Sequence, residues 1–468
     1  RGRGKRHDPS FRFGGIRSHR QLCITGRFER CPNRWGHCLR LVSTAGRCPP
    51  TDLRTALEQG LAPDGGLYVV DRLSRIDPTV LDELQGKTFP EISSIVAAYL
   101  LKADFDSSDL KSMIRDVFDF EVPLVRIKNG IHVLELFHGP TLAFKDIGAR
   151  FMAGLYKLLG NADAEDRNVL VATSGDTGSA VAHAFLKVPS VHTFILFPRD
   201  KVSAYQERQF TTLGGNVRAL EVDGTFDDCQ RLVKQAFTDK ELRAKARLTS
   251  ANSINIGRLL PQIFYYVYAW SRLAPGSSPL FSTPSGNFGN LTAGLMARTL
   301  GVPARGFVAA TNINDTVPEY LHTGVIRSRS SIPTISNAMD VGDPSNLERM
   351  LFLYDGDVDS LRKDLVGSSH NDDRTRQCIR DLHRETGYIL DPHSAVGYLG
   401  IEAGLRAFGN GPTVLLSTAH PAKFPEILEA EIGVSVSIPE RLENCLSAER
   451  YVTPMLPKLT ELRRILLA

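Results

Sequence analysis

What most limits the fold of this chain is a repeated pattern: short, continuous apolar runs, each followed by a turn and a segment of helical periodicity. "IHVLELF" (131–137), "NVLVATS" (168–174), "VHTFILF" (191–197) and "VRALEV" (217–222) form one series, with helices expected over 147–159, from Thr177, near 203–213 and from Asp227. A long apolar-aromatic helix is expected near 258–270. "PLFSTPS" (279–285), "ARGFVAAT" (304–311) and "TVLLST" (413–418) form a second series, with helices from Asn290 and near 394–407. Strands apolar on both faces belong to parallel sheets covered by helices, because a sheet with one wet face alternates apolar and polar residues. The expected fold class is α/β, with two parallel-sheet domains: a smaller one over 131–270 and a larger one over 271–468. An N-terminal α/β region over 41–130 precedes them, where "APDGGLYVV" (62–70) sets a turn before a strand and 79–118 carries helical spacing. A length of 468 residues accommodates two or three domains.

Charge separates a leader from this body. Residues 1–40 hold eleven Arg or Lys and two acidic residues. Removing them from the 56 basic and 52 acidic residues leaves 45 and 50, a formal −5, which gives no reason to expect nucleic acid as a partner. The leader is read as a disordered tail or a misassigned start; an organelle transit peptide is the other reading of an Arg-rich, acid-poor terminus. No apolar run approaches the ~20 residues that span a bilayer, so no membrane partner is expected. Cys23, Cys31, Cys38 and Cys48 lie in or just after the leader, and Cys229, Cys378 and Cys445 are scattered singly. No pair has C-x-x-C spacing, so no metal is expected, and reduced thiols in a cytoplasmic compartment are.

In open α/β sheets ligands sit beyond the carboxyl ends of the strands. Four strand-exit segments carry the informative residues. In "LELFHGPTLAFKDIGARF" (134–151), Lys145 stands between a strand end and a helix start among apolar neighbours, where burial would lower its pKa and make it a nucleophile. "TSGDTGSA" (173–180) is either a helix cap or an anion cradle. "TPSGNFGNLTAG" (283–294) is a second glycine turn whose consecutive N–H groups could hold a phosphate. "STAHPAKFPE" (417–426) gathers Thr418, His420 and Lys423, with His420 either an acid–base group or a structural one. A fifth segment, "ANSINIGRLLPQ" (251–262), opens a helix with Asn252, Ser253, Asn255 and Arg258, the last either an anion ligand or half of an ion pair. A nucleophilic lysine, a phosphate cradle, a second anion site and a hydroxyl at a strand end are together what pyridoxal phosphate chemistry needs.

"LELFHGPTLAFKDIGARFMA", "ATSGDTGSAVAHAF", "SANSINIGRLL", "PSGNFGNLTAGL", "AATNINDTVPEYL", "SNAMDVGDPSN" and "TAHPAKFPE" resemble the threonine synthase family, in its bacterial and fungal branch, from about residue 41 onward. The resemblance implies the fold-type II architecture of pyridoxal-phosphate enzymes, related to the tryptophan synthase β chain. It implies pyridoxal 5'-phosphate as cofactor, and conversion of O-phospho-L-homoserine and water to L-threonine and phosphate. By the same resemblance Lys145 is the Schiff-base lysine; Gly286, Asn287, Phe288, Gly289 and Asn290 bind the cofactor phosphate; Thr418 faces the pyridine nitrogen. Asp176 takes the place near the cofactor's ring hydroxyl where the other branch carries Asn. Ser174, Thr177 and Gly178 are implied to receive the substrate carboxylate, and Asn252, Ser253 and Arg258 its phosphate, with Lys423 a second phosphate ligand. A phospho-lyase or dehydratase of the same cofactor class would keep Lys145 and the glycine loop. "NSINIGR" and "SNAMDVGDPSN" weigh against the dehydratase and do not decide against the phospho-lyase. A non-catalytic relative that only holds cofactor is countered by intact Lys145, Arg258 and Thr418. A monomer or homodimer is expected.

Overall fold

The structure, a computed structural model, describes residues 39–102, 104–160 and 166–468. The leader lies outside the described residues apart from Leu39 and Arg40, and so do Cys23, Cys31 and Cys38. The thirteen strands among the described residues are β1 (Leu41–Ser43), β2 (Tyr68–Val70), β3 (Leu124–Lys128), β4 (Ile131–Glu135), β5 (Arg167–Ala172), β6 (Val191–Pro198), β7 (Val217–Val222), β8 (Leu248–Ser250), β9 (Leu280–Pro284), β10 (Gly306–Thr311), β11 (Leu365–Ser369), β12 (Thr413–Ser417) and β13 (Val452–Met455). They form an antiparallel β1–β2 pair, a six-stranded sheet in the order β11-β10-β9-β12-β4-β3, and a five-stranded sheet in the order β13-β7-β6-β5-β8. Every pairing in the two larger sheets is parallel except β3 with β4. The α/β class with parallel sheets is therefore as the apolar runs imply. β9 is buried along its whole length and β5 from Val169 onward, as strands with helices on both faces must be.

Sheet membership cuts across the segments 131–270 and 271–468. β4 lies beside β12, pairing Ile131 with Thr413 through Glu135 with Ser417, so the strand that leads to Lys145 belongs to the larger sheet. At the other end of the chain β13 returns to β7 in the smaller sheet. Its sequence "VTPM" conceals it, because Pro454 argues against a ladder; an edge strand tolerates the missing N–H. β3 ("LVRIK") is half exposed and lacks a continuous apolar run.

The apolar-aromatic helix expected near 258–270 is two helices, Ile256–Leu259 and Gln262–Ser271. Pro261 separates them: it has no N–H to continue the ladder, and its ring crowds the carbonyl four residues back. The second of these helices packs with Lys145–Leu159 and the N-terminal helices through one aromatic cluster, Phe89, Phe118, Phe151 and Phe264. The Phe118 and Phe151 rings are stacked at 6.4 Å, and Phe151 meets Phe264 edge-on at 5.3 Å. Close packing requires small residues on the lysine helix: a Cβ at Gly154 would stand 2.5 Å from Met113 Sδ, and one at Gly148 would stand 2.9 Å from the Arg258 carbonyl. Among the described residues, no helix is long and apolar enough to cross a membrane.

Candidate active site

Lys145 opens its helix where two chain exits meet. Beyond β4, residues 142–144 pair with residues 418–420 beyond β12: Phe144 N donates to the Thr418 carbonyl (2.9 Å), and His420 N to the Leu142 carbonyl (3.0 Å). Asp146, fully buried, holds this turn by accepting from Thr141 N (2.8 Å) and Thr141 Oγ1 (2.7 Å). Leu142 has φ 59, in the left-handed region that non-glycine residues avoid, so the turn stores strain beside the lysine.

The Lys145 residue keeps partial exposure, but loss of hydration around its amine pushes its pKa down to about 8. Asp176 opposes that shift, and the cations of Lys423 and Arg258 reinforce it. Asp176 lies beyond β5 and is buried; burial would raise its carboxyl, yet Lys423 and Lys145 outweigh this and hold it well below the usual carboxylate range. Its Oδ1 accepts from Lys423 Nζ and from Gln206 Nε2 (3.0 Å). The Lys423 ammonium is fully buried and also donates to the Thr141 carbonyl (3.0 Å). Lys423 is thus an ion-pair partner of Asp176 in this arrangement, and Gln206 is a supporting residue that the sequence reading missed.

The glycine loop at Gly175 is shaped by Thr173, whose Oγ1 accepts from Gly175 N (2.9 Å) and Gly178 N (2.8 Å). Gly178's N–H is therefore committed within its own loop. Gly175 has φ 146, and a Cβ there would meet Gln206 Cδ at 2.5 Å, so glycine is required twice over. Ser174 and Thr177 keep partial exposure between buried neighbours.

The second glycine loop follows β9. Phe288 sits left-handed (φ 58, ψ 15) just before the helix Gly289–Thr299, whose first N–H groups have no partner within the helix; that of Leu291 is taken by Asn290 Oδ1 (3.0 Å). Asn290 is buried, and its amide fixes the loop by accepting from Ser285 Oγ (2.7 Å) and donating to the Pro284 carbonyl (2.9 Å). Segment 336–341 lies against the loop: a Cβ at Gly286 would stand 2.8 Å from Met339 Cα. Residues of the "SNAMDVGDPSN" motif also bind Asn287, whose Oδ1 accepts from Ser345 N (2.6 Å) and whose carbonyl accepts from Asn346 Nδ2 (3.0 Å).

Beyond β8 the segment 251–258 completes the ring of loops. Asn252 Nδ2 donates to the Ala172 carbonyl at the end of β5 (3.3 Å), and Ser253 Oγ accepts from Asn287 Nδ2 (2.5 Å). Arg258 is buried. Its Nη1 donates to the Ala251 carbonyl (2.5 Å), its Nη2 makes a long contact with the Lys145 carbonyl (3.5 Å), and its Nε has no partner. Burial lowers the Arg258 pKa to about 10, with Asp146 opposing, so this is no surface ion pair. His420 has a structural part: its Nδ1 accepts from Ala422 N (3.0 Å), and burial, then the neighbouring His138 and Arg441, push its pKa down to about 4.

These contacts bring the exits of β4, β5, β8, β9 and β12 together around Lys145. The donors suit an anionic aldehyde cofactor: a partly neutral amine, a backbone cradle with no Cβ at Gly286 or Gly289, and cations at Lys423 and Arg258. Comparison with known proteins agrees. The family models that match are "Pyridoxal-phosphate dependent enzyme" over residues 121–419, "Threonine synthase N terminus" over 40–118 and "Threonine synthase, C-terminal" over 394–466. The threonine synthase of Escherichia coli (strain K12) is 44% identical over 403 residues, covering 86% of this chain and 92% of that protein. Its crystal structure superposes with a TM-score of 0.84 at 40% identity, covering 92% of this chain and 99% of that one. The structure of pyridoxal-phosphate-bound threonine synthase from Brucella melitensis gives 0.87 at 34% identity, covering 92% and 98%. The chain belongs to the threonine synthase family and is a pyridoxal-phosphate-dependent lyase of fold type II.

Proposed function

We propose that the protein acts on O-phospho-L-homoserine, releasing phosphate and adding water to give L-threonine, and that Lys145 is both the attachment point of the cofactor and the base of the reaction. The observation that carries this is the placement of Lys145 at a helix start, with buried Asp176, Lys423 and Arg258 as its charged neighbours and burial lowering the pKa of its amine to about 8. When bound, pyridoxal phosphate supplies an electron sink that makes protons on substrate carbons removable.

The chain's own residues do the rest. A lysine with a pKa near 8 is basic enough to take a proton at substrate Cα and return it late in turnover. Asn252, Ser253 and Arg258 supply neutral donors and a fixed cation for the substrate phosphate before and after its bond to Cγ breaks. Ser174 and Thr177, half-exposed at the first glycine loop, are assigned to the substrate carboxylate. Gly178 joins them only if its N–H leaves Thr173 Oγ1. Gly286, Asn287, Phe288, Gly289 and Asn290 are assigned to the cofactor phosphate. Thr418 is assigned to the pyridine nitrogen, where a hydroxyl cannot keep that nitrogen protonated as a carboxylate would. Asp176 is assigned to the cofactor's ring hydroxyl, with Lys423 balancing its charge; the Lys423 ammonium spends two of its three donors on Asp176 and the Thr141 carbonyl, and the third is assigned to substrate phosphate.

The test is to incubate purified protein with pyridoxal phosphate and O-phosphohomoserine and follow threonine, 2-oxobutyrate and phosphate together. Threonine and phosphate in equal amounts without oxoacid is the expected result. Oxoacid alone would assign a phospho-lyase, and no turnover would remove the substrate assignment.

A further inference from the structure

Arg349 is the largest fully buried side chain among the described residues, and none of its hydrogen-bond partners is an anion. Its Nε donates to the Tyr68 carbonyl (2.9 Å), Nη1 to the Ser253 carbonyl (3.1 Å) and Asn346 Oδ1 (2.7 Å), and Nη2 to the Ile254 carbonyl (2.6 Å). Burial lowers its pKa to about 9, opposed by nearby Glu348. A buried cation with neutral partners costs more than an apolar side chain of the same volume. What the guanidinium provides instead is geometry, a planar fork of donors that fixes several acceptors in one frame.

That frame closes a ring through two segments of the site. Arg349 holds the Ser253 carbonyl; the Ser253 hydroxyl accepts from Asn287 Nδ2 (2.5 Å). The Asn287 carbonyl accepts from Asn346 Nδ2 (3.0 Å), and Asn346 Oδ1 accepts from Arg349. We propose that Arg349 is a positioning residue that sets the spacing between the substrate-phosphate segment at Ser253 and the cofactor-phosphate loop at Asn287, and anchors both to β2 through the Tyr68 carbonyl. This rests on the assignments of Ser253 and Asn287 made above. It gives the N-terminal region a role in the reaction: β2 is one of the fixed points from which the site is aligned. Neither phosphate then has to organise its own site on arrival.

The test uses the full-length protein carrying Arg349→Lys, Asn346→Asp or Ser253→Ala. Each variant is measured for thermal melting, for kcat and KM with O-phosphohomoserine, for inhibition by inorganic phosphate, and for pyridoxal phosphate affinity of the cofactor-free protein by absorbance. Arg349→Lys keeps a donor and loses the fork. It is expected to raise KM and the inorganic phosphate inhibition constant together by about tenfold or more, with kcat less affected. Asn346→Asp keeps the acceptor for Arg349 and loses the donor to Asn287; about tenfold weaker cofactor binding is expected, with melting near that of the parent. A merely structural Arg349 would lower melting and active fraction while leaving KM and phosphate inhibition unchanged, and that result overturns the proposal. If Arg349→Lys does not fold, Asn346→Asp decides: unchanged cofactor affinity overturns it. Ser253→Ala with unchanged KM would instead remove the phosphate assignment beneath it, while Asn346→Asp still reports on the cofactor loop.

Discussion

Lys145 takes its chemistry from its surroundings. A pKa of about 8 leaves roughly one amine in ten neutral at pH 7, against fewer than about one in a thousand for an ordinary lysine. Uptake of pyridoxal phosphate by the cofactor-free protein should therefore accelerate with pH along a curve whose midpoint lies near 8. A midpoint near 10.5, read by absorbance in a stopped-flow mixer, would show the amine to be unperturbed. The same shift bears on stability: between about 8 and the ordinary lysine value of ~10.4, the unfolded chain holds a proton that the folded chain has lost, so this group's contribution to stability rises with pH there. Lys145→Ala removes the attachment point; turnover and cofactor absorbance should both vanish while melting is retained. Lys145 was legible because a helix start after an apolar strand is an unusual place for a lysine. Arg349 was not, since "LERMLFL" reads as an amphipathic helix with its arginine in water. Only the fold shows that the side chain points inward to three carbonyls.

Among the elements, the strand-exit loops were the most readable as turns, because glycine, asparagine and threonine after an apolar run mark a turn into a helix, while each loop's role stayed open between capping and ligand binding. What lies against them was hidden. Gly286 illustrates the point: its sequence context shows a turn, whereas the structure shows Met339 Cα 2.8 Å from where a Cβ would stand. Gly286→Ala must displace the backbone of segment 336–341, which His393 Nε2 holds by accepting from Ala338 N (3.2 Å). Cofactor affinity measured on the cofactor-free protein should fall about tenfold or more. Wild-type affinity in this variant would separate the loop from the cofactor phosphate. The helix expected near 258–270 broke at Pro261, and β8 is too short, at three residues, to signal itself.

Across the whole molecule, the two parallel sheets are tied at the site by Lys423, beyond β12, and Asp176, beyond β5. Both groups are buried, so removing one strands the other's charge. Lys423→Met should cost about 3–5 kcal/mol in denaturant unfolding, and adding Asp176→Asn should recover most of it. A double variant no more stable than the single one would show that the pair does not hold the sheets. Because Asp176 is held below the usual carboxylate range, the tie is fully present above the ordinary value of about 4 and is lost as pH falls from there through the lower folded-state value. The α/β class could be read from the apolar runs, but the crossing of β4 and β13 between sheets could not, since pairing between strands as distant as Ile131 and Thr413, or Ala219 and Val452, leaves no local mark. The most direct measurement is borohydride reduction of the protein loaded with pyridoxal phosphate, followed by peptide mapping. One labelled peptide, modified at Lys145, is the expected result; a label on Lys423, the other lysine of the site, or on no lysine, would contradict it.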